Sequence, residues 1–171
     1  MTEVGPAERP GAHTTCLRRL EEYLGKAGVA YQVSHHPARF TAQELAEVER
    51  VPGRLVAKVV MVSADDTLLM VIVPATARVQ LPQVREAVGA RKVRLASERE
   101  FEHVFPDCEV GAMPPFGNLY NVPVLVDVAL TRDPVILFNA GSHDTMITMT
   151  YSDFARLAEP RTGTFARELA A

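Results

Sequence analysis

The chain has 171 residues, of which 47% are hydrophobic and 23% charged, with a net charge of −3. That is the composition of one soluble globular domain. It excludes a nucleic-acid binder held by a broad phosphate-neutralising surface and leaves room for a local basic patch, for which 91-RKVR-94 with Arg50, Arg54 and Arg78 are the candidates. Cys16 and Cys108 lie far apart, without CxxC spacing or a third partner, so neither a disulfide framework nor a zinc site is expected. The opening 1-MTEVGPAERPGAH-13 lacks the apolar core of a signal peptide, and no apolar run reaches membrane-spanning length. The setting expected is cytoplasmic and reducing, with no membrane partner.

From Thr14, the residues Leu17, Leu20, Leu24 and Ala27 fall on one helical face, and Gly28 supplies a stop. Alternation of Val29, Tyr31 and Val33 predicts a half-buried strand in 29-VAYQVSH-35. Thr41 and Glu44 form a capping box that opens a helix over 41-TAQELAEVER-50. The segments 55-LVAKVVMV-62 and 68-LLMVIVP-74 flank 64-ADDT-67 and predict a central β-hairpin covered on both faces. Pro82 begins a helix that Gly89 ends, 92-KVRLA-96 reads as a short strand, and 97-SERE-100 caps a helix running up to Pro106. Further strands are expected at 122-VPVLVDVAL-130, 135-VILFNA-140 and 145-TMITMTY-151, followed by a helix capped by Ser152. The irregular alternation, with hairpins in place of regular βαβ crossovers, predicts an α+β fold: a single domain with a curved, mixed, mostly antiparallel sheet packed by helices. The domain is expected to span residues 14–159, between a flexible tail at 1–13 and a peripheral tail at 160–171.

Four stretches carry candidate chemistry. Lys58 stands in an otherwise apolar strand, where the charged head either snorkels to an edge or lines a solvated pocket. In 111-GAMPPFGNLY-120, glycines that reach unusual backbone angles bracket two prolines that fix φ. Such a loop is either a stiff crossover or a set of fixed backbone dipoles able to stabilise an oxyanion. Donors must come from Gly111, Ala112, Met113, Phe116 or Gly117, because Pro114 and Pro115 have no N–H. In 139-NAGSHDTMITM-149, His143 beside Gly141 is either a surface or a pocket histidine. Ser142, His143 and Asp144 are too close in sequence to converge as a triad. In 35-HHP-37, consecutive strand residues face opposite ways, so a metal site on His35 and His36 is disfavoured. Met61, Met70 and Met113 are core fillers by default and candidate pocket walls otherwise. Cys108 is read as structural.

His36 with 41-TAQELA-46, Lys58 in the first hairpin strand, the Gly-x-x-x-Pro run from Gly111 to Pro115, the extended 115-PFG-117, the strand holding Asp127 and the glycine turn at Gly141 occur together in one order. The set resembles the YbaK/prolyl-tRNA-synthetase-associated editing domain over residues 15–158. The resemblance implies hydrolysis of the ester that joins a wrong amino acid to tRNA, notably alanine or cysteine on proline tRNA, without cofactor or metal. It implies catalytic roles for Lys58 and Gly111. Substrate contacts are implied for His36, Thr41, Ala112, Met113, Pro115, Phe116, Gly117, Gly141, Ser142 and His143. The implied partners are a mischarged aminoacyl-tRNA and a prolyl-tRNA or other synthetase. The alternative is a module that binds the same ligands in the same pocket without turnover.

Overall fold

A computed structural model describes residues 12–35 and 52–169, with side chains from Thr15 onward in the first segment. His36, Thr41 and the helix expected over 41–50 lie outside the described residues. Helix α1 (Ala12–Ala27) buries Cys16, Leu20 and Leu24, an i, i+4, i+8 stripe, and stops where Gly28 takes φ +70°. Strand β1 (Tyr31–His35) follows. Strands β2 (Ala57–Ala64) and β3 (Thr67–Pro74) form the expected hairpin. Asp65 and Asp66 both have positive φ, as a two-residue turn matching the strand twist requires. The Asp65 carboxylate also accepts the N–H groups of Arg91 and Lys92, each at 2.9 Å.

After β4 (Ala77–Val79) comes helix α2 (Leu81–Val88), with Pro82 in its first turn and Gly89 as its left-handed stop. Strand β5 (Val93–Leu95) leads to α3 (Glu98–Phe101), where Ser97 and Glu100 make the capping box. The helix ends after a single turn, short of Pro106. The remaining elements are β6 (Val124–Asp127), β7 (Val135–Asn139), β8 (Thr145–Thr150), α4 (Tyr151–Ala158), β9 (Arg161–Gly163) and β10 (Ala166–Glu168).

The strands form three pieces: β1–β8–β7, β10–β4, and β5–β2–β3–β6–β9. All pairs are antiparallel except β3–β6 and β6–β9, which matches the mixed, mostly antiparallel α+β expectation. A single parallel bridge, Val56 to Leu137, joins the three-stranded piece to β2 among the described residues. The central hairpin is covered on both faces. Ala57, Met61, Met70 and Ile72 enter the main core with α1, α4 and β7, while Val62, Val71 and Val73 pack on the other side with Val84 of α2 and Phe165. Met61, Met70 and Met113 all lie in the main core, the default place for a flexible apolar side chain. No helix among the described residues is long and apolar enough to cross a membrane.

Four expectations are corrected. The strand at 122–130 ends at Asp127, because its carboxylate turns back to accept the Ala129 N–H at 3.0 Å and starts a short 3-10 turn. Thr150, not Ser152, caps α4: it is the last extended residue, and its hydroxyl accepts the Asp153 N–H at 3.2 Å. Residues 160–169 of the expected tail are not peripheral. They supply β9 and β10 and bury Phe165, whose N–H donates to Asp127 at 2.7 Å, with the Ala166 N–H joining at 2.9 Å.

The fourth correction concerns the cysteines. Cys16 on α1 and Cys108 form a disulfide with Cα atoms 5.4 Å apart, across 92 residues of sequence. A helix face and a distant loop meet there, which spacing alone does not reveal. Tyr120 adds to the junction: its hydroxyl lies 3.2 Å from the Cys108 sulfur and 3.5 Å from that of Cys16, and donates to Asp107 Oδ1 at 3.1 Å. Closing a 92-residue loop stabilises by about 4–5 kcal/mol on the chain-entropy account. The double variant Cys16→Ser/Cys108→Ser should therefore melt roughly 10 °C or more below the oxidised protein in scanning calorimetry. An unchanged melting temperature would show that the disulfide adds nothing.

Candidate active site at an open strand edge

Strand β2 is paired with β3 along its whole length on one edge. On its other edge it touches β7 at Val56 and β5 from Val62 to Ala64, and Met61 O accepts the Ala96 N–H at 3.0 Å. Between Ala57 and Val60 no described strand pairs with this edge. β7 and β5 thus part company along β2 and leave a gap, as a twisted sheet does when its edge changes neighbours. By strand alternation the N–H and C=O of Val59 point into the gap.

Lys58 sits at the middle of the gap. Val56 and Leu137 share one face, packed with Ala75 and Met146, so Lys58 and Asn139, each two residues further on, fall on that same face. The Asn139 Oδ1 is buried and has no hydrogen-bond partner among the described residues. A buried amide oxygen left unpaired is costly in a finished core. Lys58 is half-buried and lines a cavity of about 450 Å³ with Val60, Arg78, Val79, Leu81 and Leu95. Burial of the ammonium among these apolar walls, and secondarily the positive charge of Arg78, pull its pKa below the ordinary lysine value. Among the described residues no acid pairs with it.

At the end where β7 leaves the bridge, the turn 140–144 holds the glycine–proline loop. Gly141 N–H donates to Ala112 O at 2.9 Å, and Glu109 N–H donates to Gly141 O at 2.8 Å. The Glu109 carboxylate accepts the His143 N–H at 2.9 Å, and the His143 Nε2–H donates to Val110 O at 2.9 Å. That last bond fixes the proton on Nε2 and leaves Nδ1 without a described partner. Gly111 has φ +85°, and a Cβ there would stand 3.3 Å from His143 Cε1. The absent side chain lets the imidazole lie against the loop. Gly117 serves differently: a Cβ would stand 2.7 Å from Val124 Cγ2 and run into the Val122 carbonyl, so only glycine fits.

The expected contacts therefore separate. Of residues 111–117, Gly111 alone is exposed. Phe116 packs its ring edge-to-face against Phe138 at 5.7 Å and Phe154 at 5.4 Å, anchoring the loop in the core. Ala112, Met113, Pro115 and Gly117 are buried with it. The Ala112 N–H is taken by Glu109 O at 2.9 Å, whereas the N–H of Gly111 meets no described acceptor. Ser142 donates to the Asp144 carboxylate, and so does Thr145 at 3.0 Å, leaving the Thr145 oxygen to accept from His35 Nδ1–H at 3.2 Å. The Ser142 hydroxyl holds the Asp144 pKa below the usual carboxylate range. Ser142, His143 and Asp144 form no relay, since Ser142 faces the acid and the imidazole faces Val110. Lys58 makes no described contact with this loop; the two share one end of β2 and β7. Cys16, Asp107 and Cys108 bring three ligating atoms within 4.8 Å of one another, but the sulfurs are joined and Arg19 Nε lies 3.5 Å from the Asp107 carboxylate.

The profile of the aminoacyl-tRNA editing domain matches residues 36–157. The chain belongs to that family. Solved structures share the fold. One, assigned as a trans-editing enzyme for prolyl-tRNA synthetase, is 20% identical with a TM-score of 0.79, covering 89% of this chain and 97% of that one. A hypothetical protein is 18% identical at 0.78, covering 87% and 99%. A protein from Marinobacter aquaeolei VT8 assigned to signal transduction is 19% identical at 0.68, covering 94% of this chain and 31% of its own, so there the same fold is one part of a longer protein. No curated protein sequence matches the chain.

Sequence reasoning left Asn139, Glu109 and Arg78 out of the candidate site. Asn139 had a legible signal, a polar residue closing an apolar strand; Glu109 had none, because its role depends on a turn 34 residues away.

Gly111→Ala should cost about 1–2 kcal/mol from the left-handed backbone alone and displace the His143 ring as well. Paired with His143→Ala, part of that loss should return in chemical denaturation. Strictly additive losses would mean that the ring does not constrain the loop.

Proposed function

We propose that this editing domain acts in trans as an aminoacyl-tRNA deacylase, on a proline tRNA carrying alanine or cysteine, and that prolyl-tRNA synthetase is the partner whose errors it clears. The observation that carries the reading is a half-buried lysine with a depressed pKa on a stretch of the central strand's edge that no described strand pairs, at the end where the glycine–proline loop is braced. The choice of amino acid and tRNA rests on the family motif and on the neighbour assigned to prolyl-tRNA synthetase.

The chemistry asks little of the protein. Water attacks the ester carbonyl, the carbonyl π electrons move to oxygen, and the tetrahedral oxyanion then expels the ribose oxygen, which takes a proton. The Lys58 ammonium and the Gly111 N–H are the groups suited to the oxyanion. Each is held before the substrate arrives: Lys58 by its strand, Gly111 by the His143 and Gly141 bonds. Donors fixed beforehand do not reorganise during reaction, and removing one typically costs about 10²–10³ in rate. The Asn139 Oδ1 is an acceptor of the kind the substrate α-ammonium needs. Ser142, braced to Asp144, is reserved for positioning the turn.

Release of radiolabelled amino acid from alanyl-, cysteinyl- and seryl-proline tRNA, with prolyl-tRNA as control, tests the reading. Lys58→Met should lower the rate on the preferred species by about 10²-fold or more. Its melting temperature should hold or rise, since methionine keeps the apolar contacts and removes the desolvated charge. No release above the spontaneous rate from any species would sink the deacylase reading and leave a binding module.

The pH profile gives a second check. The protonated lysine is the working form, so kcat should fall with rising pH below the range of an ordinary lysine. Arg78→Ala removes a repelling charge, raises the Lys58 pKa and should move that alkaline limb to higher pH. A limb that stays in place would show that it reports another group.

A further inference from the structure

Beside the Lys58 cavity the charges do not balance. Strand β10 pairs antiparallel with β4, and the register sets Arg167 directly opposite Arg78. Directly opposed residues of an antiparallel pair point to the same side, and like charges in that position repel. Both arginines are exposed, and neither makes an ion pair with a described residue. Four other arginines are compensated: Arg54 meets Asp133, Arg94 meets Glu100, Arg156 meets Asp153 and Arg19 meets Asp107. The patch expected around 91-RKVR-94 and Arg54 is thus partly neutralised, and Arg78 keeps different company.

Arg78 is also the shared wall of two adjoining cavities. On one side lies the Lys58 cavity of about 450 Å³; on the other a cavity of about 600 Å³ takes in Arg167, Glu168 and Leu169. Glu168 is the acid among that cavity's lining residues, and its Oε1 accepts from Thr76 Oγ1 at 3.4 Å. The two exposed large apolar side chains among the described residues are Leu95, 55% exposed, and Leu169, 44% exposed. Leu95 lines the first cavity with Lys58, Leu169 lines the second with Arg167, and Arg78 lies in both. Cations interleaved with exposed apolar surface suit a single-stranded nucleic acid, whose phosphates seek charge and whose base faces seek cover. An acidic protein surface would leave both leucines unused.

We propose that this strip is the docking track for the single-stranded 3′ end of tRNA, with Arg78 and Arg167 each taking a backbone phosphate and Leu169 and Leu95 covering bases on the way to Lys58. The identity of the ligand rests on the deacylase reading; the track itself is tested without hydrolysis. The net charge of −3 is no obstacle, because two or three local contacts need no basic surface overall.

The probe is a fluorescently labelled, uncharged RNA hairpin with an acceptor stem and a single-stranded CCA end, titrated by fluorescence anisotropy across a range of KCl concentrations. Arg78→Gln/Arg167→Gln should bind about tenfold more weakly at low salt, with the slope of log K against log salt reduced by about 1.4, two single-strand contacts' worth. Arg18→Gln/Arg156→Gln removes the same charge from α1 and α4, which cover the opposite face, and should stay within twofold of wild type with its slope intact. On a blunt hairpin without the CCA end, the difference between wild type and Arg78→Gln/Arg167→Gln should vanish. Circular dichroism and melting establish that each variant is folded, and Arg167→Gln alone should show half the change in slope. The proposal is overturned if wild type does not bind the hairpin, if the slope is unchanged, if the control pair loses as much, or if the blunt hairpin shows the same loss. A wild type that binds through these arginines yet releases no amino acid from any charged tRNA would remove the deacylase reading and leave the track standing.

Discussion

The bridge between Val56 and Leu137 is the constraint from which the site follows. Among the described residues it ties the β1–β8–β7 piece to the central strand at one point. Past that point β7 turns toward Gly141 while β2 continues to β5, and no described strand pairs with the edge of β2 around Lys58. An unpaired strand edge inside a domain is ordinarily a liability. Here it places a half-buried ammonium, a strand backbone and an unpaired amide oxygen at one end of the sheet. In open α/β sheets, ligands sit where neighbouring strands diverge in this way.

The glycine–proline loop owes its stiffness to more than its prolines. Cys108 and Tyr120, on either side of it, both reach Cys16 on α1, so one helix position fixes both ends of the loop. Phe116 pins the middle in the aromatic core, and the His143 and Gly141 bonds pin the apex. Most of the residues that made the loop look like a substrate cradle are thus committed to holding Gly111 still. A donor that cannot move is worth more to an oxyanion than one that must be ordered by it.

Charge is handled the same way, by local arrangement inside an acidic chain. Most described ion pairs are exposed and individually weak. Their effect is to neutralise four arginines, whereas Lys58, Arg78 and Arg167 pair with no acid among the described residues. Burial of the Lys58 ammonium, and after it the charge of Arg78, lowers its proton affinity.

Much of the fold was legible in the chain. Alternation, capping boxes and turn chemistry are local: the Asp65–Asp66 turn, Pro82 and Gly89 around α2, and Ser97 with Glu100 each act within a few residues, and each element formed where its signal stood. The order of Lys58, Gly111, Pro115 and Gly141 was enough to indicate the family. Tertiary structure decided what depended on distant meetings. It paired Cys16 with Cys108, folded the C-terminal segment back onto Asp127, and buried Phe116 and Met113 that sequence had offered to the substrate. It also set Arg167 opposite Arg78. A residue's neighbours along the chain fix its backbone preference, but its charge environment and burial are set by residues tens of positions away, and those only the packed chain brings together.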